Sequence, residues 1–223
     1  MQSNTRSPDT WLSLAFAFVG GYGDAASVIL AKTFTGHITG ALVLAAVAIA
    51  DQQGRALLTH LSAVLSFLAG VVFSVLMGRS PAARASLSQL LPTVVGIEMI
   101  LTVGAYVALA SQRSPGAEIF VVCMALALGL QNGAFQRTGG IGVHTTYVTG
   151  LITSLISKEV ELSRPRDPKL NILYGIWLAF FLGGVAGAVM VLRFKAAGIL
   201  GAAFLLFVVF IRTRMASRET ALT

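Results

Sequence analysis

Residues 11–31, WLSLAFAFVGGYGDAASVILA, decide the class of this chain. At about 1.5 Å per residue a helix of this length crosses a hydrocarbon core of roughly 30 Å. Further apolar stretches cover residues 57–78, 93–111, 117–136 and 170–192, and a shorter one covers 197–211. Only 11% of the 223 residues are charged, against about 25% in soluble proteins. The sequence therefore predicts an all-α, polytopic membrane protein.

Charge and cysteine content limit the partners and the chemistry. The net charge is +7, but the 16 Lys and Arg residues lie between spans and near the C-terminus, where basic residues meet lipid headgroups. Membrane lipid is therefore an expected partner and nucleic acid is not. Cys123 is the single cysteine, and neither a metal-ligand spacing nor a catalytic motif occurs. We expect no cofactor, no bound metal and no enzymatic activity.

The sequence also predicts an internal two-fold repeat. An offset of 108 places residues 21–26 on residues 129–134, so that Asp24 aligns with Asn132. FTGHITGAL (34–42) then aligns with HTTYVTGLI (144–152), and FLAGVVFSVLMGR (67–79) aligns with FLGGVAGAVMVLR (181–193). Three blocks in the same order indicate one membrane domain over residues 1–223, with repeat halves at about 11–111 and about 117–212.

Two short apolar segments, residues 37–51 and 143–157, leave the number of spans open. Each is about 22 Å long if helical, which is marginal for a crossing. If they cross, there are eight spans in parallel halves, and Lys and Arg divide 10 to 6 between the two sides. If they are broken or re-entrant, there are six full spans in inverted halves and the division is 11 to 5. The larger bias favours six spans with both termini cytoplasmic, and eight spans is the alternative.

Asp24 is the most costly residue of the first span. A charged side chain near the centre of a bilayer costs a few kcal/mol and should face the protein interior or a water-filled cavity. Asp24 is therefore a candidate proton carrier, and the alternative is a structural acid that accepts hydrogen bonds from a neighbouring element. Glu98 lies near one end of the predicted span 93–111, so an interfacial role is at least as well supported as a functional one.

The polar breaks after the first span of each half predict a binding site. Backbone leaves helical geometry at membrane depth only where it is buried in protein or lines an aqueous cavity. Thr and Gly also pack helices closely, so a structural role is the alternative. The candidate ligands for a solute or ion are Asp24, Thr35, His37, Thr39, Gln131, Asn132, Thr145, Thr146, Tyr147 and Thr149.

These same residues resemble the YoaK-like family of small bacterial membrane proteins, DUF1275. The resemblance rests on G-x-x-D-A (21–25), F-T-x-H-x-T-G (34–40), G-x-Q-N-x-x-x-x-R (129–137) and T-T-Y-V-T-G (145–150). Members commonly carry an asparagine after T-G in the first half, where this chain has Ala41. The resemblance implies a multi-pass protein of the bacterial inner membrane and no particular substrate, although members are described as permeases.

These observations favour a transporter of a small polar solute or ion, with proton coupling through Asp24 and a polar site at the interface of the repeats. The alternative is a membrane partner or scaffold that transports nothing and binds another protein or lipid through faces of small residues. A homo-oligomer is compatible with either.

Overall fold

Helices make up nearly all of the described chain. The computed structural model describes residues 8–79, 87–112, 115–134, 137–138, 141–142, 153, 156–157 and 169–221. The helices are α1 (Pro8–Ala31), α2 (Ile38–Ala50), α3 (Gly54–Arg79), α4 (Leu87–Ala110), α5 (Gly116–Ala134), α6 (Lys169–Phe194) and α7 (Leu200–Ala221), with a 3₁₀ helix (Lys195–Ile199) between the last two. Strands β1 (Arg137–Thr138) and β2 (Ile141–Gly142) form a short antiparallel pair.

Five stretches of the described chain are long and apolar enough to cross a membrane. They are Thr10–Ala31, Gly54–Arg79, Leu90–Ala110, Gly116–Ala134 and Leu170–Ser217. The last has 48 residues and contains both α6 and α7, which the 3₁₀ helix separates. Many large apolar side chains point outward, as a lipid environment requires; examples are Leu65, Val107 and Leu192. The prediction of a polytopic helical membrane protein is confirmed.

Helices α1 and α6 run parallel in direct backbone contact. A Cβ atom added to Gly183 would lie 2.8 Å from Phe18 Cα, and one added to Gly187 would lie 2.9 Å from Tyr22 Cα. The contacts advance in the same direction along both helices. Glycine is needed at these positions because any side chain would meet the backbone of the neighbouring helix.

Helices α3 and α5 form a second parallel pair. Arg55 Nη2 lies 3.0 Å from Glu118 Oε1 near the start of both helices. Further along, a Cβ atom on Gly129 would lie 3.0 Å from Phe67 Cα. In both pairs, α1 with α6 and α3 with α5, the two helices are far apart in sequence. Each pair therefore joins the first part of the chain to the second.

The two pairs run in opposite directions. The Gln131 side chain on α5 donates from Nε2 to the Phe16 carbonyl on α1 at 3.0 Å, whereas Gly23 faces Met124 nearer the start of α5. Helix α1 therefore ends where α5 begins. We call this end of the bundle the break face, and the opposite end, where α1 begins, the terminal face.

Helices α4 and α7 also cross the bundle. The Arg212 guanidinium lies 5.1 Å from the centroid of the Trp11 ring, and Gly201 contacts the Tyr22 ring, so α7 runs antiparallel to α1 and ends at the terminal face. Gly96 of α4 packs against the Phe210 ring, and α4 ends next to the start of α5. The described chain thus crosses six times, and both of its ends lie at the terminal face.

Helix α2 does not cross. Helix α1 ends and α3 begins at the break face, so α2 leaves from and returns to that face. Its 13 residues would span only about 20 Å. This arrangement matches six full spans with a short segment at 37–51, and not the eight-span alternative. Of the second short segment, 143–157, the structure describes only residues 153, 156 and 157, and the rest lies outside the described residues.

One predicted span begins earlier than expected. The sequence predicts a span over 93–111, but α4 begins at Leu87 and contains Pro92, a residue type that usually breaks a helix. Membrane helices tolerate an internal proline when neighbouring groups satisfy the freed carbonyl. As a result Glu98 lies in the middle of α4, and its predicted position near a helix end is wrong.

Candidate functional site

Asp24 binds the chain segment that follows its own helix. Its Oδ1 accepts hydrogen bonds from the backbone N–H groups of Thr35 at 3.0 Å and Gly36 at 2.6 Å. Its Oδ2 lies 2.8 Å from His37 Nδ1, and the residue is only 4% exposed. We call these four residues the Asp24 clasp. Because Asp24 lies seven residues before the end of α1, the clasp draws the chain back by about 10 Å into the bundle.

Side-chain hydroxyls fix the path of the returning segment. Lys32 ends α1 in the left-handed region at φ 57°, which reverses the chain as at many helix C-termini. Thr33 Oγ1 then lies 2.9 Å from His60 Nδ1 of α3, and Thr35 Oγ1 lies 2.8 Å from Ser27 Oγ of α1. These contacts tie the break to α1 and to α3.

His37 is the partly accessible member of the clasp. Its side chain is 27% exposed, and its ring lies edge-on to the Phe180 ring at 5.5 Å. The hydrogen bond with Asp24 raises the pKa of His37, burial lowers it, and the charge of Asp24 raises it further, with a net rise above 6.5. The contact of protonated His37 with Asp24 therefore stabilises the folded state fully at pH values below the ordinary histidine pKa. This stabilisation is lost as the pH rises through the raised pKa of His37.

The predicted ligands fall into three groups. Asp24, Thr35 and His37 meet in the clasp, whereas Thr39 lies on the first turn of α2 with an exposed side chain. Gln131 and Asn132 are buried in α5; the contact of Gln131 with Phe16 sets them about 12 Å along α1 from Asp24, toward the terminal face. The remaining four, Thr145, Thr146, Tyr147 and Thr149, lie outside the described residues.

The clasp can hold irregular backbone inside the bundle and can exchange a proton. Carboxylates that accept backbone N–H donors make strong, charge-assisted hydrogen bonds. Asp24 Oδ2 and His37 Nδ1 in addition share a proton position, and the exposed part of the imidazole gives access to it. Among the residues that the structure describes, His, Cys, Asp and Glu form no cluster that could hold a metal ion.

Two buried features of the structure were not predicted from the sequence. The anchoring contacts of Ser27 and His60 have no sequence signal, because they depend on how the break folds back. Glu98 did have one. Among the residues of α4 whose burial is described, the buried ones are Pro92, Val94, Val95, Glu98, Thr102, Ala105 and Ala108. Their spacing of three or four residues places Glu98 on the inward face of the helix.

Comparisons with known proteins agree on the family. The profile of the family described as "Protein of unknown function (DUF1275)" matches residues 12–212. The UPF0700 transmembrane protein YoaK of Bacillus subtilis (strain 168) is 27% identical over 127 residues, which cover 57% of this chain and 56% of that protein. The match thus spans little more than half of this relative. No solved structure matches the chain. Because the profile covers most of its length, the chain belongs to the DUF1275 family of proteins of unknown function.

Proposed function

We propose that this protein is a permease for a small polar solute, and that the Asp24 clasp forms part of its pathway. One observation carries the proposal: residues 32–37 leave helical geometry and fold back onto a buried carboxylate inside a bundle of membrane helices. Irregular backbone at membrane depth occurs where it is enclosed by protein or lines a cavity. Transporters built from repeats place such broken segments at their binding sites.

The proposal includes an inverted repeat, which matched helix contacts support. In each parallel pair, a glycine of the helix that opens a repeat half (α1 or α5) meets a phenylalanine carbonyl of its partner helix (α6 or α3). A glycine of that partner helix in turn meets a backbone carbonyl of α1 or α5. The matched contacts are Gly21 with Phe180 and Gly129 with Phe67, and Gly183 with Phe18 and Gly70 with Leu126. This correspondence pairs Phe67 with Phe180 and Gly70 with Gly183, one residue away from the register of the sequence alignment.

In this arrangement the second half supplies the counterpart of the clasp on the terminal face. In the sequence repeat, Thr145, Thr146, Tyr147 and Thr149 align with Thr35, Gly36, His37 and Thr39 of the first half. Gln131 and Asn132 would lie at the edge of this second polar region. The solute would then pass between two polar breaks that enter the bundle from opposite faces, and no catalytic step is involved.

We place the protein in the bacterial cytoplasmic membrane with both termini in the cytoplasm. With six crossings, the basic residues beyond the break face are Lys32, Arg55, Arg113, Arg193 and Lys195. The other 11 of the 16 Lys and Arg residues belong to the terminal face. Such an excess marks the cytoplasmic side of a membrane protein.

Cysteine labelling tests this topology. In a Cys123→Ser background, a membrane-impermeant maleimide should label Arg55→Cys in intact cells and Arg79→Cys only after permeabilisation. Arg55 is 82% exposed at the break face, and Arg79 ends α3 at the terminal face. Labelling of both positions from the same side would contradict a crossing by α3, and the reverse pattern would contradict cytoplasmic termini.

A search for the solute tests the permease itself. We expect one compound of a library of small metabolites and ions to raise the thermal stability of the purified protein, because a ligand of the folded state stabilises it by about 2.7 kcal/mol at 100 times its Kd. The same compound should lose its effect in Asp24→Asn or Thr149→Val and be taken up by proteoliposomes. Thr39→Val should weaken the effect while the variant stays folded.

A second candidate function, lipid binding without transport, rests on a different surface. A groove of about 330 Å³ between α1, α6 and α7 is almost wholly apolar, and Trp11, Phe18, Leu182 and Val208 are among its lining residues. The Arg212 guanidinium stacks on Trp11 at its rim, so the groove suits a phospholipid acyl chain with its phosphate on Arg212. Stabilisation by anionic phospholipid, lost in Arg212→Gln, with no response to any solute would favour this function.

A further inference from the structure

Glu98 is a buried acid without a hydrogen-bond partner. It is 1% exposed and lies in the middle of α4, about 16 Å from either end of the helix. Neither carboxyl oxygen has a hydrogen-bond partner in the described structure. The Thr102 hydroxyl binds the Glu98 backbone carbonyl at 2.8 Å rather than its side chain.

Apolar clusters flank Glu98 on both sides along α4. Toward the terminal face, Val95 packs with Phe16 and Leu206. Toward the break face, Ala105 packs with Phe120 and Ile199. The carboxyl group therefore lies at a depth of the bundle that is bounded by apolar packing on both sides.

No charged group of the helices around α4 pairs with Glu98 within the described ranges. Arg55 of α3 pairs with Glu118 of α5, and Arg212 and Arg214 of α7 stack on aromatic rings. The other titratable side chains that the structure describes on elements packed against α4 are His60 and Arg79 on α3, Cys123 on α5, Lys195 on the 3₁₀ helix, and Tyr22 and Asp24 on α1. Tyr22 donates to the Gly198 carbonyl, and Asp24 is held in the clasp. His60 is bonded to Thr33.

We propose that Glu98 is an intramembrane proton-binding site that is occupied in this conformation. An ionised carboxylate without a partner in such surroundings carries a large desolvation cost, whereas the neutral acid bears only the smaller cost of an unpaired polar group. When the site opens, the carboxyl O–H bond breaks, the proton passes to a water molecule as hydronium, and the carboxylate remains. Reprotonation from water on either side reverses the step. A metal cation fits less well, because no group of three or more His, Cys, Asp and Glu side chains among the described residues could hold one.

The composition of α4 allows the movement that such a site needs. Pro92 lies inside the helix, where it removes one backbone hydrogen bond and favours a kink. Gly104 has open space around its Cβ position, so that the helix is not locked there by a neighbour. A shift of α4 could thus bring Glu98 to water without disrupting the glycine contacts of the two parallel helix pairs.

This inference deepens the proposed function, because Glu98 would supply the coupling proton of a permease. The test measures protonation of Glu98 and not uptake of a solute, so its result does not depend on whether the protein transports anything. Infrared difference spectra of the purified full-length protein between about pH 5 and about pH 9 separate protonated carboxyl groups from carboxylates, whose pKa in water is near 4.3. We expect an acid carbonyl band that decreases at high pH, shifts in D₂O, is absent from Glu98→Gln and is unchanged in the matched control Glu118→Gln.

Two results would overturn the inference. One is a band of wild-type size in folded Glu98→Gln, since the proton would then reside elsewhere. The other is a band that neither titrates nor shifts in D₂O, since Glu98 would be a permanently neutral structural acid. Should Glu98→Gln fail to fold, a hydrophobic carbodiimide can be applied to wild type, where it adds as a whole to a protonated carboxyl. The adduct should form on Glu98 and decrease with rising pH, and its absence at every pH would contradict the site.

Discussion

Alanine at Gly129 should lower the free energy of unfolding by about 3 kcal/mol, the upper range for overpacking a well-packed core. The added Cβ would lie against the Phe67 carbonyl oxygen and 2.9 Å from the carbonyl carbon. Both atoms belong to the backbone, so no rotamer change can relieve the contact and α3 must move away from α5. Gly183→Ala should cost as much, because its Cβ would meet the Phe18 backbone in the same way.

Gly104→Ala is the matched control for these variants. It adds the same methyl group in the middle of a membrane helix, but nothing lies within 4 Å of the new Cβ. Since alanine is a better helix former than glycine by up to about 1 kcal/mol, this variant should be neutral or more stable. Unfolding titrations with a denaturing detergent in mixed micelles measure all three. Equal stability of Gly129→Ala and Gly104→Ala would refute the close backbone packing of α3 and α5.

Asp24→Ala should open the clasp, and Asp24→Asn should keep it closed. Alanine leaves the N–H groups of Thr35 and Gly36 without their acceptor, at about 1–3 kcal/mol for each buried group. Asparagine keeps one oxygen for these donors, and its amide can donate to His37 Nδ1 in the other tautomer. Hydrogen exchange at residues 33–37 should therefore become fast in Asp24→Ala and stay slow in Asp24→Asn.

The pH dependence separates a structural Asp24 from a proton carrier. In wild type, protection of residues 33–37 should fall as the pH rises through the raised pKa of His37, and this dependence should disappear in Asp24→Asn. If Asp24 carries the coupling proton, Asp24→Asn also abolishes pH-dependent uptake while it is expressed and folded. Unchanged uptake in that variant would leave Asp24 with the structural role alone and direct attention to Glu98.

The sequence predicted the helices well because lipid imposes a simple rule on their composition. Apolar length placed the first span at 11–31 and the short segment at 37–51, and the structure has helices at Pro8–Ala31 and Ile38–Ala50. The same rule placed the start of α4 too late, at residue 93, whereas the helix begins at Leu87. That error moved Glu98 from the middle of a helix to its edge and hid its burial.

The candidate site was predicted in part. Because a charge in lipid is costly, the sequence predicted an interior position for Asp24, and Asp24 is buried. Its partners could not be derived, because two of them are backbone N–H groups, which every residue has, and the third depends on the reversal of the chain at Lys32. The repeat aligns Asp24 with Asn132 and predicts one polar site at the interface of the repeats. The antiparallel packing of α1 and α5 instead sets these two residues at different depths.

The exchange of partners between the two halves has a consequence for biosynthesis. Helix α1 packs on α6, and α3 packs on α5, so each glycine-lined surface made early in translation lacks its partner until the second half has been inserted. The first three spans therefore emerge without the glycine contacts that hold α1 and α3 in the complete bundle. A ribosome stalled after residue 112 should therefore carry a protease-sensitive intermediate that remains bound to the insertion machinery, and compact packing should begin only once α5 has entered the bilayer.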